Sequence, residues 1–303
     1  MRDWEQTVSL VLPPGTSCSA NLVCVSIKPF LSTHKVSVDD IFEDDAHYVQ
    51  LLADRKVLVF KELHPTREEH RRLVRSLYRG KDTNFECGPI WDQDHAGMFN
   101  NGLDFNGVPL QDGLTPEEIK TGWHSDAPFV AKPPSLTSMH MTKCDIPPGK
   151  GRTWLLDLEQ VFDMLSPDQV AWLKDVKLEH RTGNSVDPET GVSGRNLAGE
   201  VPGTQHPALR THPVTGRTCL YVSGHSCSAE DAAFEEIRQL YLLLFTEYDE
   251  EAPYAYAHEW SAGDLMIWDN RNLLHTFEGG WVFGTRIFDK IECGRDAPYY
   301  HEA

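Results

Sequence analysis

The chain has 303 residues, of which 40% are hydrophobic and 10% aromatic, so it can bury one sizeable core. Its 46 acidic residues outnumber the 28 basic ones, and the net charge is −18. Such a surface repels phosphate backbones and anionic lipids, which makes nucleic acids and membranes poor partners. No stretch approaches the ~20 apolar residues of a membrane helix, and the N-terminus has no apolar signal core. We therefore expect one cytoplasmic domain over residues 1–303 that binds a small molecule; a homo-oligomer is compatible with this.

The N-terminal third predicts helices packed beside a short buried strand. Residues 37–40 have the composition of a helix start, and residues 56–60 form a short apolar run typical of a buried strand. Thr66 and Glu69 form a capping box, and the helix that they begin is expected to end near Gly80.

The rest of the chain alternates short apolar segments with turns and two long polar segments. Residues 84–122 and 182–210 show no clean period, and loops of this length are usually lids or binding loops. Helices are predicted from Ser166 and over residues 228–248. The predicted strands are 136–142, 218–222, 264–268 and 284–288. This pattern is typical of a mainly β fold with flanking helices, a jelly-roll barrel.

His124 and Asp126 are separated by one residue, so on an extended segment both side chains face the same way. Neutral imidazole and carboxylate suit iron(II), which would need a third ligand from elsewhere in the chain. About one such pair is expected by chance in a chain with 14 histidines. Taken alone, the pair fits a loop interaction between the two side chains better than a metal site.

Three other residues, all later in the chain, could complete such a site. His275 ends an apolar segment after a predicted strand and a polar turn, which would suit a barrel mouth or a core histidine bonded to backbone. Arg286 offers a planar fork for a carboxylate, although it could also pair with an acid such as Asp289. Thr153, after the glycine-containing turn 149–151, could donate a hydroxyl bond to the same carboxylate or be an ordinary strand residue.

Taken in order, these pieces resemble the taurine dioxygenase family of Fe(II)/2-oxoglutarate-dependent oxygenases. The resemblance runs over about residues 55–291, and its motifs are weak singly but specific as an ordered set. The matching pieces are residues 122–126 (GWHSD), 210–216 (RTHPVTG), 220–222 (LYV) and 264–271 (DLMIWDNR), then His275 and Arg286. The fold that the resemblance implies is the double-stranded β-helix, a jelly-roll or cupin-like barrel.

The resemblance also implies roles for individual residues and the cofactors Fe(II), 2-oxoglutarate and dioxygen. The iron ligands would be His124, Asp126 and His275, and the 2-oxoglutarate carboxylate would be held by Thr153 and Arg286. A carboxylate at position 126 argues for oxygen chemistry, because related halogenases have a small apolar residue there. The family's motif around residues 212–213 is structural, so that histidine is not expected to be a ligand.

The sequence says less about the substrate than about the metal ligands and cofactors. Taurine-specific members carry an arginine where this chain has Lys290, so taurine itself is not predicted. Strand alternation places Arg286, Phe288 and Lys290 on one face, where Lys290 could meet a substrate acid. With Lys120 and Arg195 in the predicted lids, it suggests a small anionic or zwitterionic, amino-acid-derived metabolite in specialised metabolism, although all three could be surface charges. Hydroxylation, desaturation and oxidative ring closure of an unactivated C–H bond all remain open.

A second interpretation is a zinc-type hydrolytic or non-catalytic metal-binding barrel, because two histidines and one aspartate can also hold zinc with a bound water. That interpretation leaves Arg286 and Thr153 without a role, since both suit a dicarboxylate. Zinc in the protein, with no dependence on 2-oxoglutarate, would favour it. A metal-free structural barrel is a third interpretation, and the ordered set of motifs argues against it.

Overall fold

The computed structural model describes residues 30–31, 36–78, 123–180, 204–223, 255–277 and 285–302. The predicted lid 84–122, most of the predicted lid 182–210 and the predicted helix 228–248 lie outside the described residues. The described helices are α1 (Val38–Glu43), α2 (Asp45–Arg55), α3 (Arg67–Leu77), α4 (Leu158–Asp163) and α5 (Pro167–Leu173). The described strands are β1 (Phe30–Leu31), β2 (Val57–Phe60), β3 (Pro134–Cys144), β4 (Thr153–Asp157), β5 (Lys177–His180), β6 (Thr204–Pro207), β7 (Leu209–Thr211), β8 (Thr218–Leu220), β9 (Ala255–His258), β10 (Leu265–Asp269), β11 (Leu273–Phe277) and β12 (Arg286–Arg295).

The larger sheet has five strands in the order β1-β2-β10-β3-β12, with β1 parallel to β2 and the other pairs antiparallel. Because side chains alternate across a strand, this sheet has two distinct faces. The outer face packs against α1–α3 through buried residues that include Leu58, Phe60, Leu136, Ile267 and Ile291. The inner face carries Val57, Val59, Met139, Met141, Met266 and Trp268.

The smaller sheet has three strands in the order β11-β4-β9. Leu155 and Leu273 from this sheet share one buried cluster with the inner face of the larger sheet, so the two sheets meet across that cluster. The alternate residues Trp154 and Leu274 point away, into a second cluster with α4 and α5. The antiparallel pairs β5–β6 and β7–β8 complete the described strands.

The helix starts follow their capping residues. Ser37, Thr66 and Ser166 each accept a bond from the backbone three residues on, and the side chain at that position bonds back to the cap. These three predicted helix starts are therefore confirmed. The helix from Thr66 ends at Leu77, slightly earlier than expected.

Several predicted boundaries differ from the structure. The predicted loop 182–210 extends too far, because Thr204–Pro207 and Leu209–Thr211 are strands. Pairing with β5 and β8 gives them that form despite a polar sequence. Strands β3 and β12 are longer than predicted because they pair with each other over most of their length. The described residues are mainly sheet with few helices, as expected, and none of these helices is long and apolar enough to cross a membrane.

Candidate metal centre

Two imidazoles and one carboxylate converge at one end of the space between the sheets. One ligand atom from each of His124, Asp126 and His275 lies within 4.8 Å of the others. His275 Nε2 is 3.6 Å from Asp126 Oδ1, and the two imidazole centroids are 4.2 Å apart. Among the described residues this is the one such group. The structure therefore brings together the three residues that the sequence indicated as ligands.

The two histidines are held by main-chain bonds. His124 and His275 exchange backbone hydrogen bonds of 2.9 and 2.8 Å, which form an isolated antiparallel bridge. His275 lies in the middle of β11 opposite Leu155, and the Trp268 ring packs 5.0 Å from its imidazole. The bridge makes His124 a one-residue extension of the smaller sheet, which fixes the spacing of the two imidazoles.

Asp126 lies outside the strands, and polar groups from three other segments orient it. Thr137 donates to Oδ2 at 2.6 Å, and the Lys290 ammonium donates to Oδ1 at 2.6 Å. Asn270 binds its backbone. Burial alone would raise the pKa of Asp126, but the nearby Lys290 and the two histidines hold that pKa below its usual value. The carboxylate is therefore held in its charged form, which is the form that binds cations.

Lys290 contacts the metal centre itself. Its ammonium lies between Asp126 and Glu292, with Nζ 3.3 Å from Glu292 Oε1. Burial disfavours the charged amine, but the two carboxylates outweigh burial and raise the pKa of Lys290. The residue predicted to meet a substrate acid thus contacts a predicted metal ligand, and sequence reasoning did not anticipate that contact.

Arg286 and Thr153 form the other end of the site. The Arg286 guanidinium donates from Nη2 to Thr153 Oγ1 at 3.2 Å and from Nε to the Gly151 carbonyl at 3.1 Å. Trp260 Nε1 also donates to the Thr153 hydroxyl, at 2.9 Å. Gly151 has a φ of +61°, a backbone conformation that other residues rarely adopt, so glycine is favoured in this turn. Burial lowers the pKa of Arg286 to about 10, which still leaves it charged near neutral pH.

The register of the smaller sheet connects the two ends. Thr153 lies opposite Phe277 and Leu155 lies opposite His275, so Thr153 is two residues of β4 away from the level of His275. Two strand residues span roughly 7 Å. A five-carbon diacid could therefore reach from Arg286 to an ion between the histidines. The donor set of two imidazoles and one carboxylate suits iron(II), and the residues present fit both groups.

The other two predicted site residues, Lys120 and Arg195, lie outside the described residues. His212 bonds Asp269 through Nε2 at 3.0 Å and accepts the Thr215 N–H at 3.1 Å, which agrees with a structural role. Asn270 belongs to the motif 264–271, but the sequence analysis predicts no role for it. Its position as a polar residue in the turn before His275 was the feature that could have indicated one.

Comparison with known proteins decides the family. The profile described as "Taurine catabolism dioxygenase TauD, TfdA family" matches residues 26–281. The chain belongs to this family. The predicted resemblance is thus confirmed, although Arg286 and Lys290 lie just beyond the matched residues.

Curated relatives carry names of one reaction type. The α-ketoglutarate-dependent 2,4-dichlorophenoxyacetate dioxygenase of Cupriavidus pinatubonensis is 32% identical over 50% of this chain and 53% of its own length. The chain thus aligns with about half the length of that relative. The (S)-phenoxypropionate/α-ketoglutarate-dioxygenase of Sphingobium herbicidovorans is 27% identical over 77% of this chain and 80% of its own. These names include α-ketoglutarate and dioxygenase, which agrees with the predicted enzyme class and cosubstrates, and the group of two histidines and one aspartate agrees with Fe(II).

Solved structures share the fold. The crystal structure of AAD-2 with Mn(II) and N-oxalylglycine has a TM-score of 0.62 at 20% identity, covering 85% of this chain and 90% of its own. A putative α-ketoglutarate-dependent taurine dioxygenase from Burkholderia xenovorans has a TM-score of 0.60 at 22% identity, covering 90% and 85%. At these identities the likeness supports the fold alone.

Proposed function

We propose that this protein is an Fe(II)/2-oxoglutarate-dependent oxygenase with a double-stranded β-helix fold, a jelly-roll or cupin-like barrel. It oxidises an unactivated C–H bond of a small anionic or zwitterionic, amino-acid-derived metabolite in specialised metabolism. The observation that carries the proposal is the register of β4, which separates Thr153 from the level of His275 by two residues. That spacing suits a diacid held at one end by Arg286 and at the other by the metal.

Each residue has a defined task in this proposal. His124, Asp126 and His275 bind the ion, and Arg286 with Thr153 holds the distal carboxylate of 2-oxoglutarate. Fe(II) with 2-oxoglutarate and dioxygen supplies the oxidising power, and 2-oxoglutarate leaves as succinate and carbon dioxide. The protein orients the reactants and excludes water. The side chains suited to excluding water are the buried inner-face residues Met139, Met141, Leu155 and Trp268.

The substrate class rests on Lys290 and on the relatives. A substrate acid bound by this ammonium would lie beside the metal, because Nζ is 2.6 Å from a metal-binding carboxylate. Two relatives are named for the acids 2,4-dichlorophenoxyacetate and phenoxypropionate. Lys120, Arg195 and the lids 84–122 and 182–210 remain predictions from the sequence, as do a single domain, a cytoplasmic location and the absence of nucleic-acid partners.

An anaerobic titration tests the cofactor assignment. Fe(II) is added to the apo-protein with 2-oxoglutarate, and the weak visible charge-transfer band of the chelate is followed. We expect the band in the wild type and in His47→Ala, which removes an exposed histidine of α2, and its loss in His275→Ala. A folded, metal-replete protein without the band would overturn the assignment and favour the zinc-type hydrolytic or binding barrel.

A further inference from the structure

We infer that Asn270 is a positioning residue for the metal centre, because its side-chain amide holds the backbone of Asp126 and so directs that carboxylate toward the ion. This inference rests on the proposed function. It assigns a task to a residue that touches neither the ion nor the cosubstrate.

The geometry of the amide carries the inference. Asn270 is fully buried, and its Oδ1 accepts the Asp126 N–H at 2.9 Å. Its Nδ2 donates to the Asp126 carbonyl at 3.2 Å and to the Pro134 carbonyl at 2.9 Å. One planar group therefore binds both main-chain polar groups of a single residue. Among neutral side chains, only an amide presents an acceptor and two donors in this arrangement.

Asp126 needs this restraint because it lies outside the strands. It follows the bridge at His124 and precedes β3, so no run of strand pairing fixes its backbone rotation. The Asn270 N–H also donates to the Ser135 carbonyl at 2.9 Å, which fixes the start of β3 to the same turn. The loop that carries two predicted ligands is thus fastened at both ends and at Asp126 itself.

The turn that carries Asn270 is itself held firmly. The neighbouring Arg271 donates to Asp269 at 2.6 Å and to Asp296 at 3.1 Å, and all three side chains are buried. Asn270 is five residues before His275 in the chain. The loop that carries Asp126 and the strand that carries His275 are therefore both attached to the turn at Asn270. A shift of the amide would change the angle between the carboxylate and the His275 imidazole.

Asn272 provides a matched control in the same turn. It is also an almost fully buried asparagine, but its Nδ2 donates to Glu159 Oε1 at 2.8 Å, and Glu159 in turn pairs with Lys56. Truncating either amide removes buried hydrogen bonds and lowers thermal stability. Only the loss of the Asn270 amide should change how the metal is bound.

Cobalt(II) binding to the full chain tests the inference without turnover. The wild type, Asn270→Ala, Asn270→Asp and Asn272→Ala are titrated with Co(II), and the dissociation constant and the visible ligand-field spectrum are recorded beside circular dichroism. We expect Asn272→Ala to match the wild type. Both Asn270 variants should bind Co(II) about 10- to 100-fold more weakly with an altered spectrum. Asp is the sharper test, because it keeps the shape but places a carboxylate against two carbonyls.

The outcomes separate the inference from the proposed function. Folded Asn270 variants with wild-type Co(II) affinity and spectrum would overturn the inference alone. A wild type that binds no Co(II) would overturn the proposed function and the inference with it. If the first two variants do not fold, Asn270→Ser, which retains a small polar group, is measured at low temperature against the same two criteria.

Discussion

Neighbouring residues of β12 form two ion pairs on opposite faces of the larger sheet. Asp289 faces outward and binds Arg67 of α3 through two bonds of 3.0 and 3.2 Å. Lys290 faces inward and binds Asp126 at 2.6 Å. The first pair connects a helix to the sheet, and the second helps to hold the carboxylate of a predicted metal ligand in its charged form. The role of each ion pair therefore depends on the face of the strand on which it lies.

The same division extends along β3 and β12. On the inner face, Thr137 and Arg286 are bonded to other groups of the candidate site. On the outer face, Ser138 binds His70 of α3 at 2.6 Å. We therefore expect inner-face substitutions to change ligand binding with little loss of stability, and outer-face substitutions to do the reverse.

Arg286→Ala should show the largest effect on the inner face. Losing a buried charged donor to a carboxylate costs about 2–5 kcal/mol, so the dissociation constant of 2-oxoglutarate should rise roughly 30-fold to more than 1,000-fold. Calorimetric titration of 2-oxoglutarate into the Mn(II)-loaded protein measures this. Thr153→Val, which removes one hydroxyl at constant shape, should cost about 1 kcal/mol, or roughly fivefold. Wild-type affinity in the Arg286 variant would place the distal carboxylate elsewhere.

Among the outer-face interactions, protonation of His70 should have the largest effect on stability. Burial, aided by the nearby His140, lowers the pKa of His70 to about 3, whereas an unfolded histidine titrates near 6.5. The unfolded chain thus binds the proton first, and stability falls as the pH drops below about 6.5. By pH 5 the loss is about 2 kcal/mol.

Unfolding by urea at pH 7, 6 and 5 checks this. His70→Gln should reduce the loss of stability between pH 7 and 5 by about 2 kcal/mol, while the exposed His47→Gln should leave it unchanged. Equal pH dependence in His70→Gln and the wild type would show that His70 is not the group responsible.

Asp289→Asn should have a smaller effect, confined to stability. The pair with Arg67 is bidentate but half exposed on the arginine side, so its loss should lower the free energy of unfolding by only about 1 kcal/mol. The affinities for Mn(II) and 2-oxoglutarate should stay within about twofold of wild type. A clear loss of either affinity would mean that the two faces are not independent.

The sequence predicted which residues of β12 share the inner face, but it did not predict the contacts that these residues make. Alternation along β12 placed Arg286, Phe288 and Lys290 together, and the structure agrees, with the guanidinium 5.0 Å from the Phe288 ring. Alternation is local, because successive side chains of a strand point to opposite faces of the sheet. The contact between Lys290 and Asp126 joins residues 164 positions apart, and nothing in the sequence specifies it.

The helix caps and the residue types of the predicted metal ligands could also be predicted, because they too are local features of the sequence. The larger sheet pairs β2 with β10 and β3 with β10, so its order depends on long-range packing that local patterns do not encode. Asn270 belongs with these long-range features, because its partners at residues 126 and 134 lie far away in the chain.

Lys290→Met tests the inner ion pair, and its expected effect is of the same size as that of Asp289→Asn. Lys290 donates to Oδ1, the Asp126 oxygen that lies 3.6 Å from His275 Nε2, so the ammonium and a metal ion compete for the same oxygen and repel each other. Removing the charge should tighten Co(II) binding about 3- to 10-fold, equivalent to about 0.7–1.4 kcal/mol. Lys290→Arg keeps the charge and should bind Co(II) like the wild type. Weaker binding in Lys290→Met would instead mean that the ammonium holds Asp126 in its ligating position, and that the inner pair fastens structure just as the outer pair does.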